Sequence, residues 1–147
     1  MSKRQNSHRD EGREETLLRR LEMADQIHDL TRSQRKAIES GDWDGLKAIL
    51  NEKDRRIRDF KEAEQSLRRW GSLTEMGEKT PSLRHLISRT ESRLVAVQSL
   101  EERCRQMLVD KKNQTARTLQ EMKQAREALK QFKPHRLKAP RFIDVRR

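Results

Sequence analysis

Four histidines and one cysteine are the side chains that could hold a metal or attack a substrate, and their spacing argues against both. His8, His28, His85 and His135 lie far apart, with no other His or Cys three or four residues away, so a local zinc spacing is missing. Cys104 is the single cysteine. It can form no intramolecular disulfide, which fits a reducing compartment. It also falls on an apolar helical seam, where a small thiol is an ordinary core residue rather than a nucleophile. The 24 carboxylates alternate with Lys and Arg at helical spacing. Glu52 and Arg56 are an example: an i,i+4 pair contributes roughly a few tenths of a kcal/mol to a helix and is no acid–base couple. Neither a Gly-rich phosphate loop nor GxSxG nor HExxH occurs. The expectation is a chain without catalytic residues, metal ligands or cofactor.

The elements that carry these residues must be helices with a thin seam. The chain has 147 residues, 31% apolar, 3% aromatic and 40% charged. That is too little apolar material for a spherical core with a large pocket, but enough for a line of contact between long helices. Leu17, Leu21, Ala24, Ile27, Leu30 and Ile38 recur at helical spacing and predict a first helix from about residue 13, ended by Ser40-Gly41. Asp42 then caps a second helix. Its seam, Trp43, Leu46, Leu50, Lys53, Ile57, Phe60, Glu64 and Leu67, steps by alternating threes and fours. Lys53 and Glu64 interrupt it and would set register rather than add stability. Gly45 in the first turn should weaken the start by about 1 kcal/mol relative to Ala. The stretch from Gly71 to Pro81 is non-periodic and reads as a loop. From Ile87 the count resumes through Thr90, Leu94, Val97, Glu101, Cys104, Leu108, Lys111, Thr115, Thr118, Met122, Ala125, Leu129 and Phe132. A helix over residues 82–133 would be about 78 Å long. The second helix covers only about half of it, so part of the third must pair with the first helix, another chain or a substrate.

The fold class expected is therefore all-α: an elongated antiparallel three-helix coiled coil or bundle with a long C-terminal helix and flexible tails. Residues 1–12 read as a disordered arm, 13–133 as one helical domain, and 134–147 as an extended basic tail that begins at Pro134. Within that tail Phe142, Ile143 and Val145 form an apolar cluster that docks either on the bundle or on a partner. The chain has no run of about 18 apolar residues and no secretion signal, so a cytoplasmic protein without an integral membrane segment is expected.

Charge is uneven. The net charge is +1 over residues 1–40, zero over 41–80 and +10 over 81–147. Such asymmetry is a statement about partners, and it points to something acidic or to a solvated face. A dedicated nucleic-acid reader is disfavoured, because Phe132 and Phe142 are the only aromatics in the basic half and no reader motif is present.

The segment Ser40-Gly-Asp-Trp-Asp-Gly-Leu-Lys-Ala-Ile-Leu-Asn-Glu-Lys-Asp-Arg-Arg-Ile57 resembles the helix-hairpin junction of flagellar export chaperones of the FlgN/FliT type. The ending Arg141-Phe-Ile-Asp-Val-Arg-Arg147 is similar to that of some members. The resemblance implies a cytoplasmic export chaperone that holds the C-terminal helical segments of hook-associated or filament-cap proteins before type III secretion, with the export apparatus as a second partner. A client helix would lie along the third helix. The client-binding candidates by position are Leu94, Val97, Leu100, Cys104, Met107, Leu108, Leu119 and Met122; the competing reading makes them intramolecular core. The basic C-terminal half departs from the acidic balance common among secretion chaperones. The alternatives are a coiled-coil adaptor that forms a homodimer through the same seam, and a basic helical nucleic-acid-binding protein.

Overall fold

The computed structural model describes the backbone of residues 2–144 and the side chains of residues 11–131. Among the described residues it is all-α. Helix α1 spans Ser2–Ser40, α2 Trp43–Arg68, α3 Leu73–Lys79 and α4 Pro81–Asp144. The helical backbone thus takes in the N-terminal residues expected as an arm, and α4 passes the stop expected at Pro134. An interior proline costs a helix about 3 kcal/mol, through its missing N–H and the clash of its ring with the carbonyl four residues back, and the Arg, Lys, Leu and Ala around Pro134, all good helix formers, work against that cost. Phe142 and Ile143, like Val145, have side chains outside the described residues.

The turn between α1 and α2 follows from two residues. Gly41 adopts φ +71, its N–H donates to Ile38 O at 3.2 Å, and the Asp42 N–H donates to Ala37 O at 2.9 Å. This pair of bonds closes a helix end through a left-handed residue. Asp42 Oδ1 then accepts from the Gly45 N–H at 2.9 Å, as the sequence predicts for an N-cap. Gly45 has a reason the propensity argument does not supply: a Cβ there would stand 2.2 Å from Asp42 Oδ2, so the glycine makes room for the cap.

The stretch between Gly71 and Pro81 holds a helix where a loop is expected. Ser72 Oγ accepts from the Glu75 N–H at 3.1 Å, and Met76 is buried among Leu17, Leu67, Leu83 and Ile87. The Ser-x-x-Glu spacing of Ser72 and Glu75 is a helix-start signal, and Met76 anchors the roughly two turns that follow.

The chain divides into two compact units, Met1–Met107 and Leu108–Arg147. The first holds three apolar clusters. One joins Leu17, Leu67, Met76, Leu83 and Ile87; the next Ala24, Ile27, Phe60 and Val97; the third Ala37, Ile38, Leu46 and Cys104. From cluster to cluster the α1 and α4 numbers rise while the α2 numbers fall. Within this unit α1 and α4 therefore run parallel and α2 runs antiparallel to both. Each fully buried leucine, such as Leu17, Leu67 or Leu83, contributes about 1.5–3 kcal/mol relative to exposure.

Polar layers separate the clusters. Thr31 and Thr90 are sealed by bonds from their hydroxyls to Ile27 O (2.7 Å) and Leu86 O (2.9 Å). Lys53, 6% exposed, donates to Gln34 Oε1 at 3.0 Å and pairs with the Glu101 carboxylate, so one side chain of α2 ties α1 to α4. The seam-breaking Lys53 thus meets a seam-breaking Glu101. The buried Arg20 guanidinium lies 4.9 Å from the centroid of the Phe60 ring, a cation–π distance. Burial pushes the pKa of both Arg20 and Lys53 down.

Candidate functional site

The structure divides the client-binding candidates into three groups. Val97 and Cys104 are core residues of the first unit, Cys104 with 1% of its surface exposed. Leu94 packs on the second cluster and Met107 on the third, both partly buried. Leu100 is partly buried at the edge of a groove between α1 and α4. Leu108, Leu119 and Met122 are exposed, at 39%, 61% and 57%. The core reading holds for the inner members of the set, and an accessible apolar surface remains for the outer three.

Cys104 shows why the inner members have no solvent chemistry. Burial pushes its thiol pKa up, against the smaller opposing pull of Lys53 and Arg35. A sealed thiol with a raised pKa offers little thiolate, the reactive form. Among the described residues, no group of three His, Cys, Asp or Glu side chains could hold a metal ion. No helix among them is long and apolar enough to cross a membrane.

In the second unit, the described part of α4 is a helix whose side chains are almost all exposed. Leu108, Leu119, Met122 and Leu129 are separated by 11, 3 and 7 residues. At 100° per residue they fall within an arc of about 80°. Leu129, 61% exposed, belongs to this stripe although the candidate set omits it; its place on the 3/4 count was the signal. Lys111, Thr115 and Arg126 share the arc, so it is apolar with three polar breaks. Lys112, Lys123 and Lys130 lie along one edge by the same angular count, and all three are exposed. Residues 108–131 carry six basic and three acidic side chains. The surface therefore combines an apolar line with a row of ammonium groups beside it. Helix-in-groove recognition needs both parts, an apolar stripe for affinity and flanking charge for orientation.

No family model, curated protein or solved structure matches the chain.

Proposed function

We propose that the protein is a non-catalytic export chaperone that holds an amphipathic helix of its client, of the hook-associated or filament-cap kind, along residues 108–129 of α4. The observation that carries this reading is the exposed stripe of Leu108, Leu119, Met122 and Leu129 on a helix that continues past the last core cluster. Contacts of this kind exclude water only when another helix covers them, and an uncovered line of large apolar side chains is what a binding surface offers. The client class is suggested by the resemblance of the Gly41-Asp42-Trp43 junction. Met122 adds an unbranched, polarisable contact that adapts to more than one client side chain. The lysine edge favours a client helix with acidic residues beside its apolar face. It disfavours pairing with a second copy of the same net-basic segment.

Co-purification from the native cytoplasm at about 0.3 M salt, which screens loose phosphate contacts, tests the proposal. The wild-type chain should retain a flagellar hook-associated or filament-cap protein through its C-terminal segment. The Leu119→Asp/Met122→Asp chain should lose it while keeping its helical circular dichroism. Recovery of nucleic acid alone, or of this chain alone as a concentration-dependent dimer, would replace the chaperone reading with one of its alternatives.

A further inference from the structure

The first unit carries a second surface that the α4 stripe does not use. An open groove of about 410 Å³ runs between α1 and α4, lined on the α1 side by His28, Arg32, Arg35, Lys36 and Glu39. Its α4 side is formed by Ala96, Ser99 and Leu100. His28, Arg32 and Lys36 are spaced by four residues, so they stand in a row along one face of α1 about 12 Å long. Arg35 is neutralised in part by Glu39, Nε to Oε1 at 3.0 Å. Arg32 and Lys36 are exposed and have no ion-pair partner among the described residues. Like charges four residues apart weaken a helix by roughly a few tenths of a kcal/mol, so the row is not there for the stability of α1. Ala96 and Leu100 make the α4 side apolar, and Val95, 64% exposed, extends apolar surface beside Ser99, four residues on.

We infer that this groove docks an acidic amphipathic helix of a partner protein, with one apolar side chain seated against Ala96 and Leu100 and carboxylates facing Arg32 and Lys36. Charge complementarity selects the occupant. The chain's own segment 134–147 carries five Lys or Arg against a single Asp144, so the cationic wall repels it. A second copy's residues 108–131 are also net basic. Nucleic acid satisfies the cations but leaves the apolar side uncovered, and the groove has no Phe, Tyr or Trp on which a base could stack. A helix with Asp or Glu at four-residue spacing matches the pitch of the α1 row, and a Leu or Met on its adjoining face fills the space between the two helices.

The test uses the full-length protein and two fluorescein-labelled 18-residue helical peptides. Both carry leucines on one face; one has Glu at three positions spaced by four, the other Gln at the same positions. Fluorescence anisotropy at about 0.1 M salt should show the Glu peptide binding at least ~10-fold tighter than the Gln peptide. That preference should vanish in Arg32→Gln/Lys36→Gln, whose substituted side chains are exposed and leave the core untouched. Leu119→Asp/Met122→Asp, which disables the client stripe, should retain it, so this proposal and the chaperone reading fail separately. Equal affinity for the two peptides, absence of binding to both, or an undiminished preference in the neutralised protein overturns the assignment. Displacement of the Glu peptide by an equally charged single-stranded oligonucleotide at equal concentration overturns it in favour of nucleic acid.

Discussion

Replacing Lys53 with Met should change stability far less than replacing its partner Glu101 with Leu, although both changes break the same ion pair. Met keeps the volume of the lysine stem, so packing around position 53 is retained. The ammonium that departs is buried, and its pKa is already pushed down by that burial. Its loss leaves Gln34 Oε1 without a donor, at a cost of about 1–3 kcal/mol. Against this stands the relief of desolvating a buried cation, up to several kcal/mol when burial is complete. The Glu101 carboxylate is 41% exposed and turns to water. The two terms nearly cancel, and the net change for Lys53→Met should lie within about 1 kcal/mol of zero. Glu101→Leu instead leaves the ammonium buried with one neutral acceptor. Removing one partner of a fully buried pair costs about 3–5 kcal/mol, and the partial exposure of Glu101 reduces this to about 2 kcal/mol. The double variant should return to within about 1 kcal/mol of wild type. Urea titrations with unchanged slope read all three, and each kcal/mol corresponds to roughly 4–8 °C in Tm for a unit near 100 residues. The pH dependence adds a sign. Because folding lowers the Lys53 pKa, the unfolded chain holds that proton more tightly, and stability from this residue rises with pH through the alkaline window below about 10.4. Lys53→Met should remove that slope. The reasoning is refuted if Lys53→Met costs as much as Glu101→Leu, or if the double variant is as unstable as the sum of the two.

In the native protein, Cys104 should react with a thiol reagent at pH 8 at least ~100-fold more slowly than in the unfolded chain, since it is sealed and its pKa is raised; absorbance at equal reagent concentration reads the ratio, and equal rates would remove it from the core. Gly41→Ala should cost about 1 kcal/mol, because only the positive φ resists the new methyl group and nothing stands within 4 Å of it; a urea midpoint equal to wild type would contradict the strain. Gly45→Ala should gain in helix propensity but displace the Asp42 cap, each worth about 1 kcal/mol, and so leave stability nearly unchanged. Asp42→Ala/Gly45→Ala, with the cap already absent, should then be more stable than Asp42→Ala alone by about 1 kcal/mol in the same titration.

Much of the first unit is legible in the sequence because a 3/4 spacing states both the element and its buried face. Leu17, Ala24, Ile27 and Ile38 on α1, and Leu46, Phe60 and Leu67 on α2, are all core. The polar interruptions are legible only as interruptions. That Lys53 meets Glu101 and Gln34 depends on the relative heights of three helices, which no single periodicity contains. Trp43 sits on the seam by count and is half-exposed, because it is the first residue of α2 and lies beyond the cluster that Leu46 closes. Helix α3 is too short for a periodic signal and is carried by a cap and one methionine. The stripe of α4 is legible as apolar residues, but its exposure is not, since the same spacing serves a core and a binding face. The α1/α4 groove is the least legible feature, because it requires two helices separated by some 60 residues to lie side by side.

The two-residue turn at Gly41 and Asp42 also sets an order of assembly. Closing a loop this short costs little entropy, and α1 and α2 meet over its whole length as soon as both exist. On a ribosome the first 70 residues complete that pairing while α4 is still being made. The face of the hairpin that later receives Ile87, Val97 and Cys104 is then uncovered for the seconds that translation of α4 takes. A nascent chain at this stage offers apolar surface from its first two helices, and the finished molecule offers it from its last.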